Sequence, residues 1–467
     1  LLLTKMEWYQ EQGVELHIGD RANHIDRNAR VVRSDKGMEI TYDVLVLATG
    51  SNPFVPKITG INKQGVFVYR TIEDLEQIIA YGAKVKRAAV IGGGLLGLEA
   101  AKAAFDIGLQ TDIVECASRL MPRQIDDPGS RILVSKIEEL GVSVHLNKIT
   151  EEFLGNGKVE GIRFQDGSTL DVGMIIISAG ISPRDDLARS CGLEVGARGG
   201  VSINDRLETS DPAVFAIGEV VLHKGITYGL VAPGYMMAEA LATNLTGGDA
   251  SFPGTDLSAK LKLLGVDVAS FGQYDLPSEQ VKPLGEVVPL VWEDPFNATY
   301  KKLLFNLDGT RLLGGILVGD ANDYGTLSRL AKSSDLLPCK PQELILGKAG
   351  GASVLGGVEG ISESAQICSC NNVTKGAICS AIKEQNLTSV LQVKDATKAG
   401  TGCGGCLPLV TDIFRAEMKA AGVTLNNYLC EHFSYSRSEI FALIRVKQLK
   451  SFDDIITQYG KGYGCEI

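Results

Sequence analysis

Apolar and polar positions change rhythm several times along this chain of 467 residues. Between 14 and 48, the short runs "VELHIG", "ARVVRS" and "MEITYD" alternate, and "VLVLA" is continuously apolar. The pattern predicts four strands, the last one buried and stopping at the glycine turn of "ATGSNPFVP". From 87 the order becomes strand, glycine-rich turn, helix, strand in "RAAVIGGGLLGLEAAKAAFDIGLQTDIVE". "SRILVSKIEELG" has helical spacing, "VSVHLNK" reads as a strand, and "GIRFQDGSTLDVGMIIISAG" predicts an Asp-Gly hairpin running into a buried strand. "AVFAIGE" is a further strand ending in a turn, and "APGYMMAEALATNL" is a helix opening at a proline. Residues 255–335 turn β-rich, with a hairpin predicted at Asp308-Gly309. The glycine-rich run "GKAGGASVLGGVEG" reads as a linker before a tail rich in cysteine.

Strands alternating with helices put the chain in the α/β class, and its length calls for three or more domains. A net charge of −10 argues against nucleic acid or an anionic membrane as a general partner. No apolar run reaches the roughly 18 residues of a spanning helix. Of the 10 cysteines, only Cys116, Cys191 and Cys339 precede residue 368. That clustering suits a metal-binding tail on a cytoplasmic enzyme better than a secreted disulfide framework. The chain begins with Leu rather than Met and reads as a fragment.

Gly92, Gly94 and Gly97 form G-x-G-x-x-G between a strand and a helix, and the next strand ends at Glu115. Here the first glycine permits the turn, the second lets backbone approach a pyrophosphate, and the third lets helix and strand close up. The phosphates lie at the helix N-terminus, where free N–H groups favour anions. Glu115 suits a ribose 2′-OH and favours NADH over NADPH, with Arg119 as a partial counter-charge.

With Ala48-Thr49-Gly50 before this unit and "TSDPAVFAIGE" after it, the sequence resembles the two-dinucleotide flavoprotein reductases, the glutathione reductase and rubredoxin reductase class. The resemblance implies an FAD domain (1–82 and 191–250) interrupted by a Rossmann-like NAD(P) domain (83–190), then a small α+β domain (255–335). It also implies that Ala48, Thr49 and Gly50 abut the flavin dinucleotide, and that Gly218 and Glu219 meet its ribityl–phosphate region. Val231 and Ala232 then open a helix aimed at the flavin N1–C2=O edge, and Glu99 faces the nicotinamide. That family's FAD domain starts with a glycine motif of its own, so roughly the first seventy residues of the fold are expected to precede Leu1.

In the tail, Cys368 and Cys370 are followed by Cys403 and Cys406 in "TGCGGC". Structural zinc usually takes a C-x₂₋₄-C knuckle for both pairs, and the leading C-x-C fits that less well. Four thiolates on glycine-softened loops around a helix suit a [2Fe–2S] cluster. On the residues alone, zinc and unliganded thiols stay open. The segment 363–420, after a linker at 345–362, resembles the bacterioferritin-associated-ferredoxin-like [2Fe–2S] module. The resemblance makes Cys368, Cys370, Cys403 and Cys406 the ligands and leaves Cys379 to packing. A second copy follows at 428–467: "LCEHFSYSRSEIFALI" aligns with "ICSCNNVTKGAICSAI", with His432 in place of Cys370. It is expected to keep the fold and hold no cluster.

A nicotinamide site, flavin motifs and a cluster, in that order, describe a relay from a two-electron donor to a one-electron carrier. The order, "LMPRQID", "GLVAPGY" and the doubled tail resemble the NAD(P)H-dependent assimilatory nitrite reductase large-subunit family. This implies an electron-input half passing electrons from NAD(P)H through FAD and [2Fe–2S] to a sirohaem–[4Fe–4S] domain beyond these residues. The expected partners are that domain or a redox partner subunit, with a homo-oligomer possible. Two alternatives stand: the electron-transfer subunit of an assimilatory nitrate reductase or another rubredoxin-reductase-like enzyme, and a non-enzymatic iron-handling or docking module.

Overall fold

The computed structural model describes residues 6–255, 258–263, 265–274, 287–332, 336–337, 339–346, 358, 361–368, 371–401, 404–422, 432–449 and 451–462. The chain divides into two compact units. One is Leu1–Gly356 with Cys368–Asn372 and Gly402–Cys406; the other is Gly357–Ile367 with Val373–Thr401 and Leu407–Ile467.

At the centre of the first unit is a five-stranded parallel sheet. Its order is Val66–Val68, Met174–Ile177, Arg87–Ile91, Gln110–Val114 and Ser143–His145. From Arg87–Ile91 the chain moves outward on one side and later returns on the other. The direction therefore reverses beside that strand, and a crevice opens at the strands' carboxyl ends. Helix Leu95–Asp106 packs on this sheet through small residues, with Gly97, Ala100, Ala101 and Ala104 all buried. Helix Asp127–Glu139 starts where Asp126 caps Gly129 N–H and Pro128 fixes the first turn.

Two chain crossings connect this region to the rest of the first unit, and they pair with each other. Ser51–Pro53 runs antiparallel to Ile181–Pro183. Beyond them, Leu45–Leu47 pairs in parallel with Val214–Ala216, and Leu47, Val214, Ala216, Val221, Met237 and Leu241 share a core.

The last part of the first unit is a five-stranded antiparallel sheet. Its order is Ala259–Leu263, Val266–Gly272, Leu312–Gly319, Thr299–Asn306 and Val287–Asp294. One face, with Val266, Val268, Tyr300, Ile316 and Val318, joins the core of Leu98, Leu133 and Ile137 in the nucleotide fold. The other face is covered by helices Tyr324–Lys332 and Pro341–Leu346. The hairpin turns at Asp308-Gly309 as expected, with Gly309 at φ +69° and Asp308 Oδ1 accepting the Thr310 N–H at 3.0 Å.

Two expectations are corrected. The run 14–19 is not a strand; the first strand is Ala22–Asp26, paired with Val31–Ser34. Val14, Leu16 and Ile18 alternate but stay exposed, because no described strand lies beside them. The run "VLVLA" does form a strand, yet only one face is buried: Leu47 points into the core, while Val44 and Val46, on the alternate face, are exposed.

In the second unit, helices Lys375–Glu384, Val390–Thr397 and Leu407–Ala420 pack together. The repeat is visible as geometry. Helices Arg437–Lys447 and Phe452–Tyr459 start 62 residues after the first two (375 to 437, 390 to 452). Their caps repeat at the same offset, Thr374 by Ser436 and Ser389 by Ser451. Of the glycine-rich run 347–360 only Val358 is described, and Cys370, Cys403, Cys430 and Cys465 lie outside the described residues.

Candidate functional site

The glycine loop sits at the carboxyl end of Arg87–Ile91, where the sheet reverses. Gly92 has φ +116°, and a Cβ there would meet Ser178 O at 2.2 Å. A Cβ on Gly97 would meet Gly92 O at 1.9 Å, so helix and strand touch backbone to backbone. At Gly94 a Cβ would meet nothing within 4 Å. Gly94 is also the N-cap of Leu95–Asp106 and supplies no side-chain cap, which leaves the first-turn N–H groups for an incoming anion. Open space before uncapped donors is what a pyrophosphate requires, and the residues fit it.

Glu115, 7% exposed, immediately follows the adjacent strand Gln110–Val114. Its Oε2 accepts the Gly93 N–H at 2.6 Å and its Oε1 the Ala117 N–H at 2.8 Å. The acid therefore shapes the glycine loop. Arg119 is spent on its own loop, donating to Pro122 O at 3.2 Å, Ile125 O at 3.1 Å and Asp127 Oδ1 at 3.3 Å. It is not the counter-charge that the sequence suggested for a 2′-phosphate. Glu99 is half-buried on the helix, and desolvation raises its carboxyl above the usual range. The same burial, with Glu99 nearby, raises the Tyr69 phenol.

The flavin motifs meet across the paired crossings. Gly50 and Gly218 end the parallel strands Leu45–Leu47 and Val214–Ala216 at φ +68° and +79°, with open space over each. Thr49 Oγ1 donates to Arg184 O at 2.7 Å, fixing the first turn to the second crossing. Helix Val231–Leu245 begins at Leu230 without a side-chain cap, so Val231 and Ala232 present free N–H groups. Glu219 Oε2 accepts from Ser51 Oγ at 2.7 Å and from Arg70 Nη2 at 2.6 Å. These turns fit the flavin side of a dinucleotide site.

Sequence reasoning missed Arg70, Ser51 and Gly93. The available signal was position: Arg70 follows strand Val66–Val68 at the carboxyl edge of the parallel sheet.

Of the four cysteines expected as ligands, Cys368 is 2% exposed, and Asn371 Nδ2 lies 3.8 Å from its Sγ. Cys406 immediately precedes helix Leu407–Ala420, where the helix dipole favours a thiolate. Thiolate donors at a buried strand end and a helix N-terminus suit iron. Cys379 is buried, and its thiol is pushed up to about 11 by burial and by its hydrogen bond to Glu417. That agrees with packing. No helix among the described residues is long and apolar enough to cross a membrane.

The glycine-loop fold with paired crossings defines a class: the chain belongs to the pyridine nucleotide-disulphide oxidoreductase family, whose model matches residues 5–240. Residues 258–335 match the rubredoxin NAD+ reductase C-terminal domain, and 366–416 a BFD-like [2Fe-2S] binding domain. It is thus an oxidoreductase of a kind that works with FAD and a pyridine nucleotide, and it carries a [2Fe–2S] domain. More particularly, it is 47% identical over 470 residues to the nitrite reductase [NAD(P)H] large subunit of Klebsiella oxytoca, covering 100% of this chain and 48% of that one. It is 46% identical over 471 residues to the nitrite reductase (NADH) large subunit of Escherichia coli K12, covering 100% and 55%. The chain spans about half the length of these curated relatives. A ferredoxin reductase of Rhodopseudomonas palustris has a similar solved structure, with TM-score 0.62 and 26% identity, covering 69% of this chain and 78% of that one.

Proposed function

We propose that this chain is the electron-input portion of an assimilatory NAD(P)H nitrite reductase, acting from the cytoplasm. The carrying observation is the order of parts: a pyridine-nucleotide loop, flavin-facing turns and a four-cysteine module, matched from end to end by nitrite reductase large subunits. We assign the FAD region to 1–82 and 191–250, the nucleotide region to 83–190 and the cluster module to 363–420.

Bound FAD would supply the conversion of a hydride into single electrons for the cluster. The chain's own residues do the rest. Gly94 leaves room for the pyrophosphate, and the first-turn N–H groups of Leu95–Asp106 bind it. Glu115 accepts from the ribose 2′-OH, and with Arg119 engaged elsewhere a 2′-phosphate meets an unopposed carboxylate, which favours NADH. Glu99, whose carboxyl burial raises above the usual range, lines the nicotinamide side. Val231 and Ala232 offer N–H groups to the flavin's carbonyl edge, while Arg70 and Glu219 tie the two regions together. Cys368, Cys370, Cys403 and Cys406 would hold the cluster, which would supply single electrons to a sirohaem–[4Fe–4S] domain or a redox partner.

The test is anaerobic reconstitution. Iron and sulfide analysis should give about two irons per chain with a reduced-state EPR signal, both lost in Cys403→Ser. Stoichiometric zinc without sulfide would refute the cluster. The chain by itself should form no ammonia from nitrite and NADH.

A further inference from the structure

The glycine loop is gripped from a direction that its motif does not announce. Gly93 has both sides of its backbone tied. Its N–H donates to Glu115, and its carbonyl accepts the Met121 N–H at 2.9 Å. Met121 is 1% exposed and has φ +49°, a left-handed conformation that a non-glycine residue keeps only where its surroundings impose it. Those surroundings are the loop 120–126. Leu120 N–H donates to the buried Ser130 Oγ at 2.9 Å, and Arg119 braces the Pro122 and Ile125 carbonyls. The loop ends at Asp126, whose Oδ1 caps helix Asp127–Glu139.

The other oxygen of Asp126 faces a different domain. Asp126 Oδ2 accepts from Tyr300 Oη at 2.8 Å and from Lys302 Nζ at 3.0 Å. Both donors come from strand Thr299–Asn306 of the antiparallel sheet, two residues apart and hence on one face. Tyr300 is 1% exposed; burial, and then its hydrogen bond to Asp126, push its phenol far above the usual range, so it remains a donor.

We propose that Tyr300 and Lys302 are positioning residues for the pyridine nucleotide. They fix Asp126, and through the loop 120–126 and Met121 they hold Gly93 in the conformation that leaves the space over Gly94 open. The proposal rests on reading Gly92–Gly97 as the nucleotide's phosphate loop. Neither side chain touches the ligand in this scheme. Their loss lets the loop populate other conformations, and apparent affinity falls by the fraction that stays competent. A node that merely staples two domains would instead lower stability and leave affinity alone.

The experiment is NADH titration of the full chain by calorimetry, paired with thermal unfolding and amide hydrogen exchange at Gly93 and Met121. Tyr300→Phe with Lys302→Met should raise the Kd for NADH about fivefold and speed exchange at both amides. Lys302→Arg should restore much of the affinity. A Kd unchanged within about twofold alongside a lowered Tm would overturn the proposal and leave the phosphate-loop reading intact. Should the double variant fold poorly, Lys302→Met, at a partly exposed position, decides by the same readings. A wild-type chain that binds no NADH would overturn the phosphate-loop reading itself, and this inference with it.

Discussion

Gly94 and Gly97 lie three residues apart in one motif, yet an added methyl group would meet opposite fates. At Gly97 it would meet the Gly92 carbonyl at 1.9 Å and force the helix off the strand. Gly97→Ala should therefore destabilise the fold by about 3 kcal/mol, read by denaturant unfolding. At Gly94 the methyl finds open space, so Gly94→Ala should leave Tm nearly unchanged while abolishing measurable NADH binding. A second residue-scale prediction concerns Asp112, fully buried between Arg87 at 2.6 Å and His145 at 2.8 Å. Burial pushes its carboxyl up, but the hydrogen bonds from His145 and Arg87 outweigh that and hold it below the usual range. A carboxyl so depressed contributes stability that is present above about pH 4 and is lost as pH falls through the folded value. Acid unfolding should be steeper in the wild type than in Asp112→Asn. Gly92, Gly94, Gly97 and Glu115 were readable because their spacing is local. Arg70 was not, since its partner Glu219 is 149 residues away and only the fold joins them.

At the scale of elements, the sequence was most legible where a periodic run carried its own start and stop. "SRILVSKIEELG" became Asp127–Glu139, opened by an Asp cap and a proline. "VELHIG" failed for the converse reason. Alternation marks a surface able to pair, and pairing depends on a neighbour that the run itself does not encode. The tail repeat also carried its caps, which makes them testable. Ser451 Oγ accepts the Asp454 N–H at 3.1 Å. Ser451→Ala should destabilise helix Phe452–Tyr459 by about 1 kcal/mol, read as faster amide exchange there and none in Val390–Thr397. Its counterpart Ser389→Ala should do the reverse. The repeat is unequal in its burial: Cys379 is 4% exposed, whereas Phe441, its counterpart 62 residues on, is 59% exposed.

Over the whole molecule, module order was legible because each module announces itself by a different signal: glycine spacing, β-rich alternation, cysteine spacing. How the nucleotide fold and the antiparallel sheet share one core was not legible, because Leu133 and Val318 carry no mark of each other. That shared core predicts that 83–190 and 258–335 unfold together as one block. A single cooperative calorimetric transition for this region is the expected result, and two resolved transitions would contradict it. The paired crossings have a mechanical consequence of another kind. Two separate covalent links would let the nucleotide region sway and twist independently of the rest. Zipped together by Ile181 to Pro53 and Pro183 to Ser51, they form a single ribbon. Motion is then confined largely to rotation about the ribbon's long axis, like a door on one hinge rather than a load on two ropes. A protease nick just beyond Pro53 should leave the pieces migrating together under native conditions and parting only in denaturant.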